Sequence, residues 1–591
     1  MSPEQRYTIQ IGKPGASAAP LATTPAASSS GTITRTVSLT PEAVFAAAMQ
    51  FQQRGELAEA LVCYGKLLEV RPDHADSWYN AGLAHYGRGD MTAAEAHFRR
   101  AVELRPNYEL ALHNLGFMLY QRGQHSAAID ALQQAWKLNP RDGQTGMNLA
   151  NALAAQGRID EAIEIGSQSL DDPKFGVDAH NNLLLNTHYR YGTTITGLAT
   201  LHGHWRTKHD PRSPVALPFA VDRNPERTLR VGVLSGDLAS HAVGFMFLPV
   251  AEQMDRRAIE WVAYSSVQRR DPWNERFRRA IPRWHDIAAW ETPQLVQQMR
   301  DDRLDIVLDL AGHTAHGRLP ALAERVAPLQ ISWIGYPGPS APAAIDYHLA
   351  DRWLVPDELL PNYTTPILRL PTTITCYEIP GATPEVGQLP ALRTGKLLLA
   401  SFNKPQKIND IVIETWSTIL HALPEARLLL KFLGFDDPGT IARFQRRFAL
   451  QGIDAARLLF EGHGEFHEMF HRYLDVDLAL DPFPFTGGTT SYLATWMGVP
   501  IVTCPGEIIA SRQTYAMYEA IGVRDTIAVD RAAYVRLAVD LARDLPRLSE
   551  LRQKLRPAYR ASPLADSARV ARELAEVLRG AWRTWCERAP A

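Results

Sequence analysis

Four glycines, Gly55, Gly89, Gly123 and Gly157, stand 34 residues apart in this chain. Ala60, Ala94, Ala128 and Ala162 keep the same interval, as do Pro72, Pro106 and Pro140. A fixed period of this length leaves little choice of architecture. One unit is too short to bury an apolar face alone, so successive units must stack and share a core. Within each unit an apolar-periodic segment ends at the glycine and a second one follows, which reads as a pair of helices. The small alanine lets the two helices approach closely. The proline ends the unit because it cannot continue a helix interior.

A 34-residue helix-pair period is the tetratricopeptide signature, and it predicts a helical solenoid over 41–190. Such solenoids present a curved surface suited to polypeptide. Asn80, Asn114, Asn148 and Asn182 also recur at 34 residues. Each offers a donor and an acceptor, so a row of them would grip the backbone of an extended peptide with little regard to its sequence. The competing reading is that each Asn satisfies its own repeat. Residues 1–40, rich in Ala, Ser, Thr and Pro, read as a disordered leader.

The net charge of −2 gives no electrostatic case for nucleic acid or an anionic membrane. Cys63, Cys376, Cys504 and Cys586 have no paired spacing, which argues against a disulfide framework or a zinc site and fits a reducing compartment. No apolar run approaches the ~18 residues of a membrane span, and the first residues are not a secretory signal. The expected location is the cytoplasm.

Beyond a helical connector and Pro-rich link at 191–225 the pattern changes. Short apolar runs (LRVGVLSG, IEWVAYSS, LDIVLDLAG, LQISWIGYPG, then LLLASFN, ARLLLKFLG, VDLALDPFPF, VPIVTCPG) alternate with amphipathic segments. This predicts parallel sheets covered on both faces. A division in the loop near residue 385 yields two doubly wound domains, 226–385 and 386–591, the second including the last helix. Ligands in such folds bind beyond the C-terminal strand ends, so the loops there are the candidates.

In DPFPFTGGTTSYLATW (481–496) a strand leads into Gly487 and Gly488, and Thr489 and Thr490 open a helix. Helix N-termini favour phosphate and glycine permits close backbone approach. The GK[ST] ending of a P-loop is missing. In SFNKPQKIND (401–410), Lys404 and Lys407 stand at a strand outlet, where a lysine would neutralise a diphosphate leaving group; solvated surface lysines are the alternative. His241 in GDLASHAVGF is a candidate base or sugar ligand, with a helix-capping role as the alternative. His313 and Thr314 in DLAGHTAHGR fall on the same side and are candidates for the acceptor or sugar pocket. His467 opens a helix, where its ring would stack on a nucleobase, a core or surface histidine being the competing reading. No His, Cys and carboxylate cluster has metal-ligand spacing, so no metal and no cofactor is expected.

Together these loops resemble those of the O-GlcNAc transferase and SPINDLY family of protein glycosyltransferases. The resemblance covers about 41–585 and includes LRVGVLSGDLASH, RVAPLQISWIGYPGPSAPAAIDYHLAD, FNKPQKI, the GGTT turn, VPIVTCPGEIIASR and ASPLADSARVARELAEVLRGAW. It implies a GT-B fold of two Rossmann-like halves behind the repeats. It also implies inverting, metal-free transfer of a sugar from a nucleotide donor to Ser or Thr of a protein. By the same resemblance Lys407 contacts the donor diphosphate, Thr489 and Thr490 open the phosphate-binding helix, and His467 stacks on the base. His241 is the active-site histidine, Gly335 lies in the loop lining the sugar pocket, and the Asn series grips acceptor peptides. The chain departs from the animal enzymes at Lys404, where they have Gln, at Gly488, where they have His, and at Leu493, where an acidic residue holds the ribose. It also lacks their long insert between the halves. UDP-GlcNAc is the expected donor, with GDP-fucose or a decayed scaffold as alternatives. The expected partners are acceptor proteins held by the repeats, with no nucleic acid and no membrane.

Overall fold

The computed structural model describes residues 40–210, 219, 221–267, 270–462 and 464–588. Apart from Thr40, the expected leader lies outside the described residues. Two compact units are present. One takes in the chain to Arg122 with Asp130–Asn139, the other Gly123–Ile129 and Pro140–Ala591.

The first unit is built from the helices Pro41–Gln53, Leu57–Val70, Ala75–Gly87, Met91–Leu104 and Glu109–Gln121. Its inter-helix glycines take the left-handed conformation, Gly55 at φ 77° and Gly89 at φ 80°, which is why glycine recurs there. Ala60 and Ala94 are fully buried, as close helix approach requires. Thr40 Oγ1 and Asp90 Oδ1 cap helices by accepting from the N–H groups of Ala43 and Ala93, satisfying donors that the helix leaves open.

The second unit opens with the helices Gly143–Ala155, Ile159–Gln168, Gly176–Thr187 and Ile195–His209. Two wholly parallel sheets follow. The first contains β1 (Leu229–Ser235), β2 (Ile259–Ser265), β3 (Arg283–Asp286), β4 (Ile306–Asp309), β5 (Leu329–Ser332), β6 (Tyr347–Ala350) and β7 (Ile367–Arg369), in the order β3-β2-β1-β4-β5-β6-β7. The second contains β8 (Leu398–Ser401), β9 (Arg427–Lys431), β10 (Leu458–Glu461), β11 (Leu478–Leu480) and β12 (Ile501–Val502), in the order β10-β9-β8-β11-β12. β1 and β2 are buried at all but one position each, as strands covered on both faces must be. The strand order reverses direction between β1 and β4 and between β8 and β11, so each sheet opens a crevice there.

The last helix, Ser567–Arg588, corrects the expected division. It follows the second sheet in sequence, yet Val570, Leu574, Leu578 and Trp582 are buried in one core with β1, β2, β4 and the helix Ala242–Gln253 of the first. Their four-residue spacing makes a single apolar stripe, and the first sheet supplies the face that covers it. The Arg227 guanidinium lies 5.1 Å from the Trp582 ring centroid. Among the described residues no helix is long and apolar enough to cross a membrane.

Candidate active site

The outlet of β8 leads through Phe402 and Asn403 to the one-turn helix Pro405–Lys407. Lys407 is buried. Its Nζ donates to the Thr486 carbonyl oxygen at 2.6 Å and to Asn403 Oδ1 at 3.2 Å, and lies 4.5 Å from the Phe485 ring centroid. Burial, reinforced by the charge of Lys404, pulls the Lys407 ammonium from 10.5 down to about 7. Lys404 Nζ donates to the Tyr189 hydroxyl at 3.4 Å. Asn409 caps the next helix through Val412 N–H and donates its own Nδ2 to the Phe483 carbonyl at 2.6 Å, fastening this loop to the one after β11.

Asp481 follows β11. Its buried carboxylate accepts from Gly487 N–H and from Thr503 Oγ1, each at 2.7 Å, which folds the glycine turn back onto the strand end. Burial raises its pKa to about 6. A Cβ at Gly487 would collide with Ser491 Oγ, so a larger residue would displace that hydroxyl from Thr514 Oγ1, 2.8 Å away. Gly488 precedes the helix Thr489–Trp496, whose first turn carries no side-chain cap. Thr490 Oγ1 lies 3.4 Å from Asn403 Oδ1 as a donor, so Asn403 receives both Lys407 and Thr490. Open helix N–H groups beside a buried ammonium favour a phosphate.

On the first sheet, His241 caps the helix Ala242–Gln253, its Nδ1 accepting from Val243 N–H at 3.4 Å. Asp237 Oδ1 lies 3.4 Å from the same nitrogen, and half of the His241 side chain remains accessible. Burial raises the pKa of Asp237 and the His241 ring opposes the rise. Capping and an accessible ring coexist here, so the two readings of His241 do not compete. Gly335, in the loop after β5, packs against the Leu310 carbonyl oxygen so closely that no Cβ could be placed. It lines a cavity of about 100 Å³ with Tyr336 and Pro337 from the first sheet's side and Phe485, Tyr492 and Gln513 from the second's.

His313 behaves differently from the expectation. It is fully buried, with Nδ1 2.7 Å from Asn181 Oδ1 and Nε2 accepting from Ala341 N–H at 2.9 Å. Both ring nitrogens are committed inside the protein, so it braces the loop instead of meeting an acceptor. Thr314 Oγ1 donates to the Ala311 carbonyl of its own turn. His467 is exposed on the first turn of the helix Phe466–Tyr473, which excludes a core histidine and fits a surface one as well as a base-stacking one. The Asn80 and Asn114 amides return to the carbonyls four residues back, Asp76 at 2.8 Å and Leu110 at 3.0 Å, so the repeats do use them internally. Asn148 is buried and Asn182 half-buried.

Sequence reasoning missed Asn403, Asp481 and Asn181. Asp481 carried a signal, since it stands where a strand gives way to a glycine turn. Asn181 Oδ1 also accepts from Trp205 Nε1 at 2.9 Å; its neighbour Asn182, in phase with the repeats, drew the attention.

The profile of glycosyl transferase family 41 matches residues 207–377 and 388–574, and tetratricopeptide repeat profiles match 45–109 and 119–172. The chain is 31% identical over 422 residues to the probable UDP-N-acetylglucosamine--peptide N-acetylglucosaminyltransferase SPINDLY of Solanum lycopersicum, covering 69% of this chain and 45% of that protein. It is 30% identical to the Arabidopsis thaliana protein of the same name, covering 69% and 45%. The chain thus spans less than half the length of these curated relatives. A solved structure of a mutant Thermobaculum terrenum O-GlcNAc transferase superposes with a TM-score of 0.81 at 32% identity, over 88% of this chain and 99% of that one.

Proposed function

This chain belongs to glycosyl transferase family 41, and on that premise we propose that it moves a sugar from a nucleotide donor to Ser or Thr hydroxyls of proteins, with UDP-GlcNAc as the donor. The observation that carries the reading is the buried Lys407 ammonium meeting Asn403 and Thr490 at the uncapped start of the helix Thr489–Trp496. A donor diphosphate placed there has its charge balanced by Lys407 and by backbone N–H groups, so the reaction as proposed uses no metal. The sugar lies toward Gly335, and the base toward His467. The acceptor oxygen attacks the anomeric carbon as the bond to the diphosphate breaks. The bonding pair leaves with the diphosphate, whose growing charge Lys407 offsets. His241 takes the hydroxyl proton. Attack from the face opposite the leaving group inverts the anomeric centre. The repeats hold acceptor polypeptide. The four cysteines are unpaired, in keeping with a cytoplasmic setting.

A panel of radiolabelled nucleotide sugars with lysate acceptors, followed by mass spectrometry, tests this. Label from UDP-GlcNAc on Ser or Thr is the expected result. Label from GDP-fucose alone overturns the donor assignment. A protein that binds neither UDP nor GDP in calorimetry overturns the enzyme reading itself.

A further inference from the structure

Lysine has four rotatable side-chain bonds, and a three-residue turn does little to fix where its ammonium stands. At Lys407 help comes from the helical segment that precedes β1. Gly157, in the turn before Ile159–Gln168, lies so near the lysine loop that a Cβ would be 2.8 Å from the Pro405 carbonyl oxygen. Tyr189, two residues past Gly176–Thr187, is buried at 3% exposure. Its ring stacks on Phe485 with centroids 4.8 Å apart and planes at 22°, and its hydroxyl accepts from Lys404 at 3.4 Å. Phe485 is the ring over which the Lys407 ammonium rests.

We propose that Tyr189 is a positioning residue for the donor site: by stacking on Phe485 it fixes the aromatic face that holds Lys407, so a turn outside both sheets sets where the diphosphate's counter-charge stands. The proposal rests on the reading that Lys407 faces the donor diphosphate. Phe485 is only half-buried; besides Tyr189 it meets the His188 ring edge-on at 6.5 Å and the apolar cluster of Ile195, Leu198, Ile508 and Ala510, so Tyr189 supplies its one stacked partner among the described residues. Without Tyr189 the ring gains freedom, and a cation over a mobile ring loses much of its electrostatic attraction. The stack contacts Lys407 and Lys404, so the effect is expected at the donor.

The test uses the full chain with Tyr189→Leu, Tyr189→Phe, Phe485→Leu, the double variant Tyr189→Leu/Phe485→Leu, and Lys407→Ala as a reference. UDP and GDP affinities are measured by calorimetry, and donor hydrolysis without peptide gives KM and kcat. Tyr189→Leu is expected to weaken nucleoside diphosphate binding about tenfold and to raise the donor KM, with the acceptor-peptide KM unchanged. Tyr189→Phe, which keeps the stack, stays within about twofold of wild type. The double variant loses no more than the worse single one, because both break the same contact. Should Tyr189→Leu fail to fold, Phe485→Leu carries the same expectation. Wild-type diphosphate affinity in Tyr189→Leu, or additive losses in the double variant, overturns the inference. If Lys407→Ala itself keeps full affinity, the donor reading falls and not merely the role of Tyr189.

Discussion

Replacing Lys407 by methionine separates what this residue does for the fold from what it does for the donor. The interval between 10.5 and about 7, at ~1.4 kcal/mol per pH unit, is worth roughly 5 kcal/mol against folding when the unfolded lysine is charged. Methionine removes that cost. Against it, the Thr486 carbonyl and Asn403 Oδ1 lose their donor, at ~1–3 kcal/mol each. The two sides are close enough that the pH dependence, not the absolute difference, decides. The folded lysine releases its proton near pH 7, while the unfolded one keeps it up to about 10.5. In between, the unfolded state binds more protons, so wild-type stability rises with pH through this window. Lys407→Met lacks that term. The stability difference should therefore move in favour of wild type by ~2–3 kcal/mol between pH 7 and 9, a relative shift of a few °C in thermal midpoint. Asp481, whose pKa is about 6, is mostly ionised over this range and contributes little. Thermal unfolding of both proteins in steps of half a pH unit measures it. Parallel curves would refute the claim that Lys407 is held against its charge. The same variant should lose donor turnover at every pH.

His241→Ala should cut transfer ~10²–10⁴-fold while leaving UDP affinity unchanged and costing only the ~1 kcal/mol of a lost helix cap in stability; calorimetry beside a transfer assay checks both, and a loss of UDP binding would move His241 into the donor site. Trp582→Ala should destabilise by ~3–5 kcal/mol, because the ring fills the first sheet's core from the last helix; urea unfolding followed by tryptophan fluorescence reads it, and a cost under ~1 kcal/mol would contradict that packing. Burial holds His188 at about 4 and His202 and His348 at about 3, far below their usual 6.5. The unfolded chain takes up protons first as pH falls below 6.5, so stability is lost on acidification by up to ~1.4 kcal/mol per pH unit for each ring; a stability that stays flat from pH 6 to 4.5 would count against neutral buried rings.

The solenoid was legible because a strict period is a local property. Gly55 and Gly89 announced turns that only a left-handed residue makes cheaply, and Ala60 and Ala94 announced contacts between neighbours in sequence. The strands were legible for the same reason, since a run such as LRVGVLS must be covered on both sides wherever it lies. Lys407 and the Gly487–Thr490 turn are candidates by their places after strands, and Gly335 and His467 by motif resemblance. His313 shows the limit: its position after β4 said which loop it belonged to, but only packing against Asn181 and Ala341 decided that the ring would be spent inside. The last helix shows another. Its apolar stripe required a partner, and the amino-acid pattern alone could not say which of two similar sheets would provide it. Tyr189, Lys407 and the segment that carries Asp481 and Phe485 lie in separate stretches of the chain, and their meeting has no signature in the order of residues. Local chemistry thus determined which elements form and where strands end. Which side chains face each other across those ends depends on contacts between residues distant in sequence, and only the folded chain creates them.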